Sequence, residues 1–211
     1  MILGINASRA RSGGAVAHLK GVLSSIDPAE YGITTVHIWG YKQLLELLPV
    51  NDWLLKHVPI ELTGSLLCQL RWERTIFPKE LAEANCSILL NVDAGSICRF
   101  SPAVTMSRDM LSYEKGEIER YGISMSRVRL IVLRYVQNSS LRFADGVIFL
   151  TQYAAGVIQK SCGNLENIAF IPHGVGDSFQ AIEPKNNWPE SNTRDIRCLY
   201  ISNADLYNSL N

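Results

Sequence analysis

The stretch GVIFLTQYAAGVIQKSCGNLENIAFIP, residues 146–172, predicts the fold of this chain. It opens with a short apolar run, continues with apolar residues at helical spacing, and closes with a second apolar run. A strand, a helix and a strand in this order form a crossover unit, which places the two strands parallel in one sheet. Both runs are almost continuously apolar, so helices are expected to cover both faces of that sheet.

The same alternation extends back to the first residue. Besides the strands at 146–151 and 167–172, the pattern predicts strands at 1–6, 33–40, 86–92 and 103–107. It predicts helices at 14–26, 41–48, 63–77, 113–121, 125–143 and 152–161, with Pro78 ending the third. We therefore predict an α/β fold with a doubly wound, mainly parallel, Rossmann-like sheet over residues 1–180.

The last part of the chain has a different character. Residues 181–195 are polar and contain proline, which is typical of a linker, and RCLYISN at 197–203 reads as a fresh strand. A new strand after a linker usually opens a new domain. We therefore expect residues 196–211 to be the first strand of a second domain whose remainder is not in the chain.

Composition excludes several classes of protein. The 20 basic and 20 acidic residues give a formal net charge of +0, which argues against a nucleic-acid binder. The five cysteines are odd in number and contain no C-x-x-C pair, so neither a disulfide framework nor a zinc site is expected. Reduced thiols and the lack of a signal peptide favour a cytoplasmic protein.

The loop after the first strand is a candidate phosphate site. Ligands of open parallel sheets bind at the carboxyl ends of the strands, and Ser12, Gly13 and Gly14 lie there, just before a predicted helix. Backbone N–H groups of such glycines can approach an anion at the helix N-terminus. The alternative is a flexible turn, since the loop is neither G-x-G-x-x-G nor a P-loop.

Two other strand ends carry unusual polar residues. Arg108, Asp109 and Glu114 follow the strand at 103–107, where an arginine can hold a phosphate or a sugar hydroxyl. The alternative for Arg108 and Asp109 is an ion pair that caps the next helix. His173 and Gly174 make a sharp turn after the last buried strand, and we expect this histidine to bond backbone and stiffen a hinge rather than take part in chemistry.

The sequence indicates less specific roles for the remaining histidines and for the basic helix. His18, His37 and His57 show no ligand spacing, so they are expected to be structural or solvated. The helix from Arg127 to Arg142 carries four arginines among apolar residues. Such a helix either lies on anionic lipid as a peripheral contact or is simply solvated.

Several of these motifs together resemble a known family. SRDMLSYE at a strand end, RLIVLR in the long helix, ADGVIFLTQYA and IPHGVGDSF resemble the amino-terminal half of a retaining family 4 glycosyltransferase of the GT-B fold. RCLYISNADLY, residues 197–207, resembles the opening strand of that family's second domain. The glycine pair after the first strand also belongs to the resemblance. The resemblance covers nearly the whole chain.

The resemblance implies two domains that face each other across a cleft and bind different substrates. The amino-terminal domain would bind a glycan or lipid-linked acceptor, and the second domain would bind a nucleotide-sugar without a metal or other cofactor. Gly13 and Gly14 match the loop that reaches the donor phosphates, and residues 107–114 match the acceptor-side loop. Arg108 stands where many relatives have histidine, and Ser112 where they have proline. No catalytic residue is assigned.

Two other functions fit the same residues. One is a non-catalytic Rossmann-like module that binds a glycan, a lipid carrier or a protein partner. The other is a nucleotide-dependent oxidoreductase domain, which the missing G-x-G-x-x-G disfavours.

Overall fold

The computed structural model describes residues 1–11 and 13–174. The compact unit Met1–His173 is an α/β domain built on one parallel sheet. The predicted linker at 181–195 and the predicted strand at 197–203 lie outside the described residues, as does Ser12.

The sheet has seven strands in the order β3-β2-β1-β4-β5-β6-β7, and every neighbouring pair is parallel. This order reverses direction beside β1, between β1 and β4, as in doubly wound sheets. The strands are β1 (Ile2–Asn6), β2 (Thr35–Trp39), β3 (Leu54–His57), β4 (Ile88–Asn91), β5 (Ala103–Ser107), β6 (Gly146–Phe149) and β7 (Ile168–Phe170).

Helices connect the strands and cover both faces. They are α1 (Gly14–Ser25), α2 (Lys42–Glu46), α3 (Leu66–Arg71), α4 (Phe77–Glu83), α5 (Met125–Phe143) and α6 (Gln152–Cys162). The α/β class, the parallel sheet and all six strands predicted up to residue 172 are confirmed, and α5 begins where the sequence places it. Ser124 and Thr151 cap α5 and α6 through their hydroxyls, which explains those starts.

Strand β3 was not predicted. It is four residues long, LLKH, and lies at the edge of the sheet beside β2. Only Leu54 is buried, while Leu55 is 45% exposed. A short edge strand with one buried residue carries almost no periodic signal, because its outer side pairs with nothing in the sheet.

The prediction that a single helix runs from residue 63 to Pro78 was wrong. α3 passes into a π-helical turn, Trp72–Ile76, which leads directly into α4. Pro78 lies in the first turn of α4, where its missing N–H has no partner to lose. The helix therefore continues past the proline instead of ending at it.

The helix predicted at 113–121 was also wrong. Two short 3-10 turns, Leu111–Tyr113 and Glu119–Tyr121, take its place. Gly116 and Gly122 have φ of 87° and 52°, values that end regular helix and favour glycine.

The core has a layer on each side of the sheet. Val36 and Ile38 of β2 point to the side covered by α1 and α2, whereas Trp39 points to the side covered by α4. On this second side, a Cβ added to Gly4 would lie 2.6 Å from Leu81 Cδ2, so glycine lets α4 approach the central strand. A further cluster under α5 and α6 includes Leu141, Phe149 and Ile158.

Candidate functional site

Two asparagines bind the ends of the central strands to each other. Asn6 and Asn91 are the last residues of β1 and β4 and pair in register. Asn6 Nδ2 lies 3.0 Å from Asn91 Oδ1 and 3.2 Å from Ser96 Oγ, and Asn91 Nδ2 donates to Thr105 Oγ1 of β5 at 3.2 Å. All four side chains are buried. The network fixes the strand edge at which ligands of such sheets bind.

Glu73 anchors this network from the π-helical turn. Its side chain is only 2% exposed; Oε1 lies 3.1 Å from Asn6 Nδ2, and Oε2 accepts from Arg9 Nη2 at 2.8 Å. π-Helical turns are rare and occur often at functional sites. The sequence did not single out Glu73, although a carboxylate three residues after Leu70 and four before Phe77, at core-facing helical spacing, was an available signal.

Arg108 lies half-buried beside Asp93. The Nη2 atom is 3.7 Å from Asp93 Oδ2, a distance too long for a hydrogen bond. Nε is buried and has no hydrogen-bond partner among the described residues. Burial lowers the pKa of Arg108, and the charges of Asp93 and Asp109 oppose that change. The guanidinium is thus desolvated but poorly compensated.

Two histidines that are distant in the sequence contact each other. His18 of α1 and His173 after β7 place their Nδ1 atoms 3.1 Å apart, with ring centroids separated by 4.5 Å. Burial lowers the pKa of His18, as do the charges of His173 and then Arg108. His18 lies in α1 and His173 follows β7, so the contact joins two elements that are distant in the sequence.

This contact differs from the sequence-based expectation for His173 and is compatible with a structural role for His18. His18 was expected to be structural or solvated, and His173 to bond backbone at a hinge. In the described residues the hydrogen-bond partner of each is the other. Gly174, the second predicted hinge residue, is exposed at the end of the described range. The pair joins positions 155 residues apart, which no local spacing could indicate.

The other predicted acceptor-side residues lie nearby with local partners. Asp109 is exposed, and its Oδ1 accepts from the backbone N–H of Leu111 at 2.9 Å. It therefore caps the following turn, while the ion-pair partner of Arg108 is Asp93. Glu114 accepts from the hydroxyl of Tyr153 at 3.3 Å, and its charge raises the pKa of that tyrosine.

The loop glycines Gly13 and Gly14 are exposed to solvent. Gly13 is the N-cap of α1 with φ of 62°, and a Cβ added to Gly13 or Gly14 would meet nothing within 4 Å. The backbone of Gly13 and Gly14 is thus accessible to a ligand. A phosphate there stays a prediction, and the capping role expected of Ser12 lies outside the described residues.

A second polar cluster occupies the β2–β3 edge. His37 Nδ1 and His57 Nε2 are 2.9 Å apart, and His57 stacks on Trp39 with a centroid distance of 4.5 Å. Burial lowers the pKa of both histidines. With Glu80 they line an open groove of about 560 Å³.

Helix α5 exposes an apolar strip between arginines. Met125, Val128, Val132 and Tyr135 follow a helical spacing and are 82%, 52%, 55% and 76% exposed. The helix contains arginines at 127, 129, 134 and 142 and no acidic residue.

Among the described residues, no group of three or more histidine, cysteine or acidic side chains is placed to hold a metal ion. Cys68, Cys86, Cys98 and Cys162 are free thiols, and burial raises the pKa of Cys86 to about 11. No helix within residues 1–11 and 13–174 is long and apolar enough to span a membrane.

A scan against protein-family models gives no match, and a search of the curated proteins gives none either.

Proposed function

We propose that this protein is the acceptor-binding half of a glycosyltransferase of the retaining family 4 type, which uses a nucleotide-sugar donor to extend a glycan or a lipid-linked acceptor. The observation that carries the proposal is the pair Arg108 and Asp93, which lie just after the carboxyl ends of β5 and β4 with Nη2 and Oδ2 3.7 Å apart. Ligands of doubly wound sheets bind at this edge. The motif resemblance places the acceptor-side loop, residues 107–114, at the same position.

The chemistry of these residues suits an acceptor. Asp93 can accept hydrogen bonds from sugar hydroxyls, and Arg108 brings a guanidinium whose Nε has no hydrogen-bond partner among the described residues. The strand-edge network beneath them holds these loops in place, since every member is buried and hydrogen-bonded. The open backbone at Gly13 and Gly14 suits an approach to the donor phosphates from across a cleft.

The oxidoreductase alternative is less well supported. In dinucleotide-binding domains, an acidic residue at the end of the second strand bonds the ribose hydroxyls. Here β2 ends at Trp39 and continues with Gly40, Tyr41 and Lys42, so no carboxylate is available there.

The exposed strip of α5 supports a peripheral membrane contact for a cytoplasmic enzyme with a lipid-linked acceptor. Apolar side chains flanked by arginines fit the interface of an anionic bilayer. Helix α5 packs against α6, and the residues of the strip remain exposed. The strip can therefore contact a membrane surface while the domain stays folded.

Isothermal titration tests the proposal against its alternatives. The purified chain is titrated with soluble oligosaccharides, an alkyl phosphate glycolipid, UDP- and GDP-sugars, NADH and NADPH. We expect saturable binding of a glycan or glycolipid that weakens in Arg108→Ala, and no binding of either nicotinamide. Tight NADPH binding with no glycan binding would contradict the proposal.

A further inference from the structure

We propose that a pocket beside the carboxyl-terminal half of α5 binds the phosphate group of an anionic phospholipid, whose acyl chains lie against the apolar strip of the same helix. The inference rests on the membrane contact of the proposed function and deepens it, because it gives that contact a binding site and a chemical class of lipid. It uses none of the residues assigned to the acceptor, so lipid binding can be tested without any sugar transfer.

Two arginines and two aromatic rings form the pocket. It has a volume of about 320 Å³ and is lined by Arg99, Tyr135, Ser139, Arg142 and Phe143. Arg99 Nη2 donates to Ser139 Oγ at 2.6 Å, and Arg99 Cζ lies 4.7 Å from the centroid of the Phe143 ring. These two contacts hold Arg99, which comes from the loop before β5, against α5. The pocket is thus built by a loop and a helix that are distant in the sequence.

The positive charge of the pocket has no acidic partner in the part of the chain that the structure describes. Arg142 Nε donates to the carbonyl of Cys162 at 2.6 Å, and Arg99 bonds the serine hydroxyl. Neither arginine forms an ion pair with any described residue. Asp145, which follows the helix, accepts from the backbone N–H of Ala103 instead. Two guanidiniums therefore line one pocket without neutralisation, an arrangement that suits a phosphate group.

Both arginines keep donors for a ligand. A guanidinium has five N–H groups, and the described hydrogen bonds use two of them in Arg99 and two in Arg142. Arg142 is exposed and Arg99 is partly exposed, so a ligand can reach both side chains. Burial and the charge of Arg74 lower the pKa of Arg99, and the charge of a bound phosphate would act in the opposite direction.

The pocket continues the apolar strip of α5. Val128, Val132, Tyr135, Ser139 and Arg142 follow one another at intervals of three or four residues, so they share one face of the helix. Tyr135 belongs both to the strip and to the lining of the pocket. A soluble phosphate would need only the pocket, whereas a phospholipid uses the pocket and the apolar surface together.

Vesicle sedimentation of the 211-residue chain tests the pocket. One set of phosphatidylcholine vesicles carries phosphatidic acid, and a second set carries cholesteryl hemisuccinate, a carboxylate lipid, at a matched zeta potential. We expect the chain to bind the phosphatidic acid vesicles at least about tenfold more tightly, because phosphate offers more oxygens to the two guanidiniums. Equal binding to the two sets would show charge attraction alone and would overturn the proposal.

Lysine variants separate phosphate recognition from charge. Arg99→Lys keeps the charge but loses the planar fork of donors, so we expect binding to phosphatidic acid to weaken about tenfold and binding to hemisuccinate to stay within about twofold. Arg71→Lys, the same exchange on the exposed surface of α3, should leave both within about twofold.

Thermal unfolding reports whether each lysine variant is folded. Arg142→Lys repeats the test from the other arginine, in case the loss of the contacts with Ser139 and Phe143 destabilises Arg99→Lys. If the folded variants bind phosphatidic acid as Arg71→Lys does, the pocket is not the site and the proposal is wrong.

Glycerol 1-phosphate distinguishes a lipid from a soluble phosphate. We expect Val128→Glu with Val132→Glu to abolish binding to phosphatidic acid vesicles but to leave the weaker binding of glycerol 1-phosphate within about threefold. Glycerol 1-phosphate binding that depends on Arg99, without any vesicle binding, would overturn the assignment to a lipid. Lipid binding by a chain that binds no glycan would refute the proposed function and leave the lipid site, whereas glycan binding without lipid binding would do the reverse.

Discussion

Arg9 donates a hydrogen bond of 2.8 Å to the buried carboxylate of Glu73, joining the loop after β1 to the π-helical turn between α3 and α4. The same carboxylate lies 3.1 Å from Asn6 Nδ2, which bonds Asn91 at the end of β4, and Asn91 in turn bonds Thr105 in the middle of β5. A single acidic side chain therefore anchors a network that joins the ends of β1 and β4 to β5 beneath the candidate site.

Replacement of Glu73 by alanine is expected to lower the free energy of unfolding by about 1–3 kcal/mol, because Asn6 and Arg9 lose their acceptor and a buried space opens. The expected loss of stability is no larger because the Arg9 side chain is 30% exposed and can hydrogen-bond to water once Glu73 is removed. Glu46→Ala is the matched control, since Glu46 pairs with Lys42 at 3.8 Å on the exposed surface. Urea unfolding measures both; similar losses would contradict the anchoring role.

Gly4→Ala is expected to destabilise the domain by about 1–3 kcal/mol, because the new Cβ would lie 2.6 Å from Leu81 Cδ2 and push α4 away from β1. Gly21→Ala in α1 is the control: its Cβ meets nothing within 4 Å, and alanine favours helix. We expect this variant to gain about 0.5–1 kcal/mol. Thermal unfolding of the two variants should move in opposite directions, and a stable Gly4→Ala would show that the helix has room to shift.

Stability is expected to fall as the pH drops from 7.5 towards 5.5. The pKa of His18, His37 and His57 is lowered in the fold, so the folded state favours the neutral rings. Their contribution is fully present above the ordinary histidine pKa of 6.5 and is lost as the pH falls through the lower folded pKa values. Urea unfolding across this range measures the slope.

The variant His57→Phe should flatten that slope. Phenylalanine retains stacking on Trp39 but removes one titrating ring and the contact with His37 Nδ1 at 2.9 Å. A slope equal to that of the wild type would mean that this histidine pair does not govern acid sensitivity.

Binding of the chain to anionic vesicles is expected to depend on the α5 strip. Val128→Glu with Val132→Glu should abolish sedimentation with vesicles that contain phosphatidylserine, because a charge replaces each inserted apolar side chain. Val50→Glu, at a position 92% exposed elsewhere, is the control and should bind normally. Equal binding of all three proteins, or binding to neutral vesicles alone, would remove the membrane contact from the account.

The sequence predicted most of the architecture because long apolar runs and helical periods are local signals. Strand β3 was not predicted because only one residue of LLKH is buried. The π-helical turn and α4 were not predicted because a proline such as Pro78 normally indicates the end of a helix. The strand ends pointed to Arg108 and His173. Their partners Asp93 and His18 could not be predicted, since these contacts depend on how distant strands and helices come together in three dimensions.

The most direct measurement of the central claim is sugar transfer by a two-domain protein that joins this chain to a family 4 donor-binding domain. We expect transfer from a nucleotide-sugar without added metal, and a turnover about tenfold to a hundredfold lower in Arg108→Ala, with a melting temperature close to that of the parent. Arg71→Ala, which removes an exposed charge on α3, should retain full activity. If no nucleotide-sugar supports transfer, or if Arg108→Ala loses stability but keeps its activity per folded molecule, the assignment of an acceptor site at Arg108 is wrong.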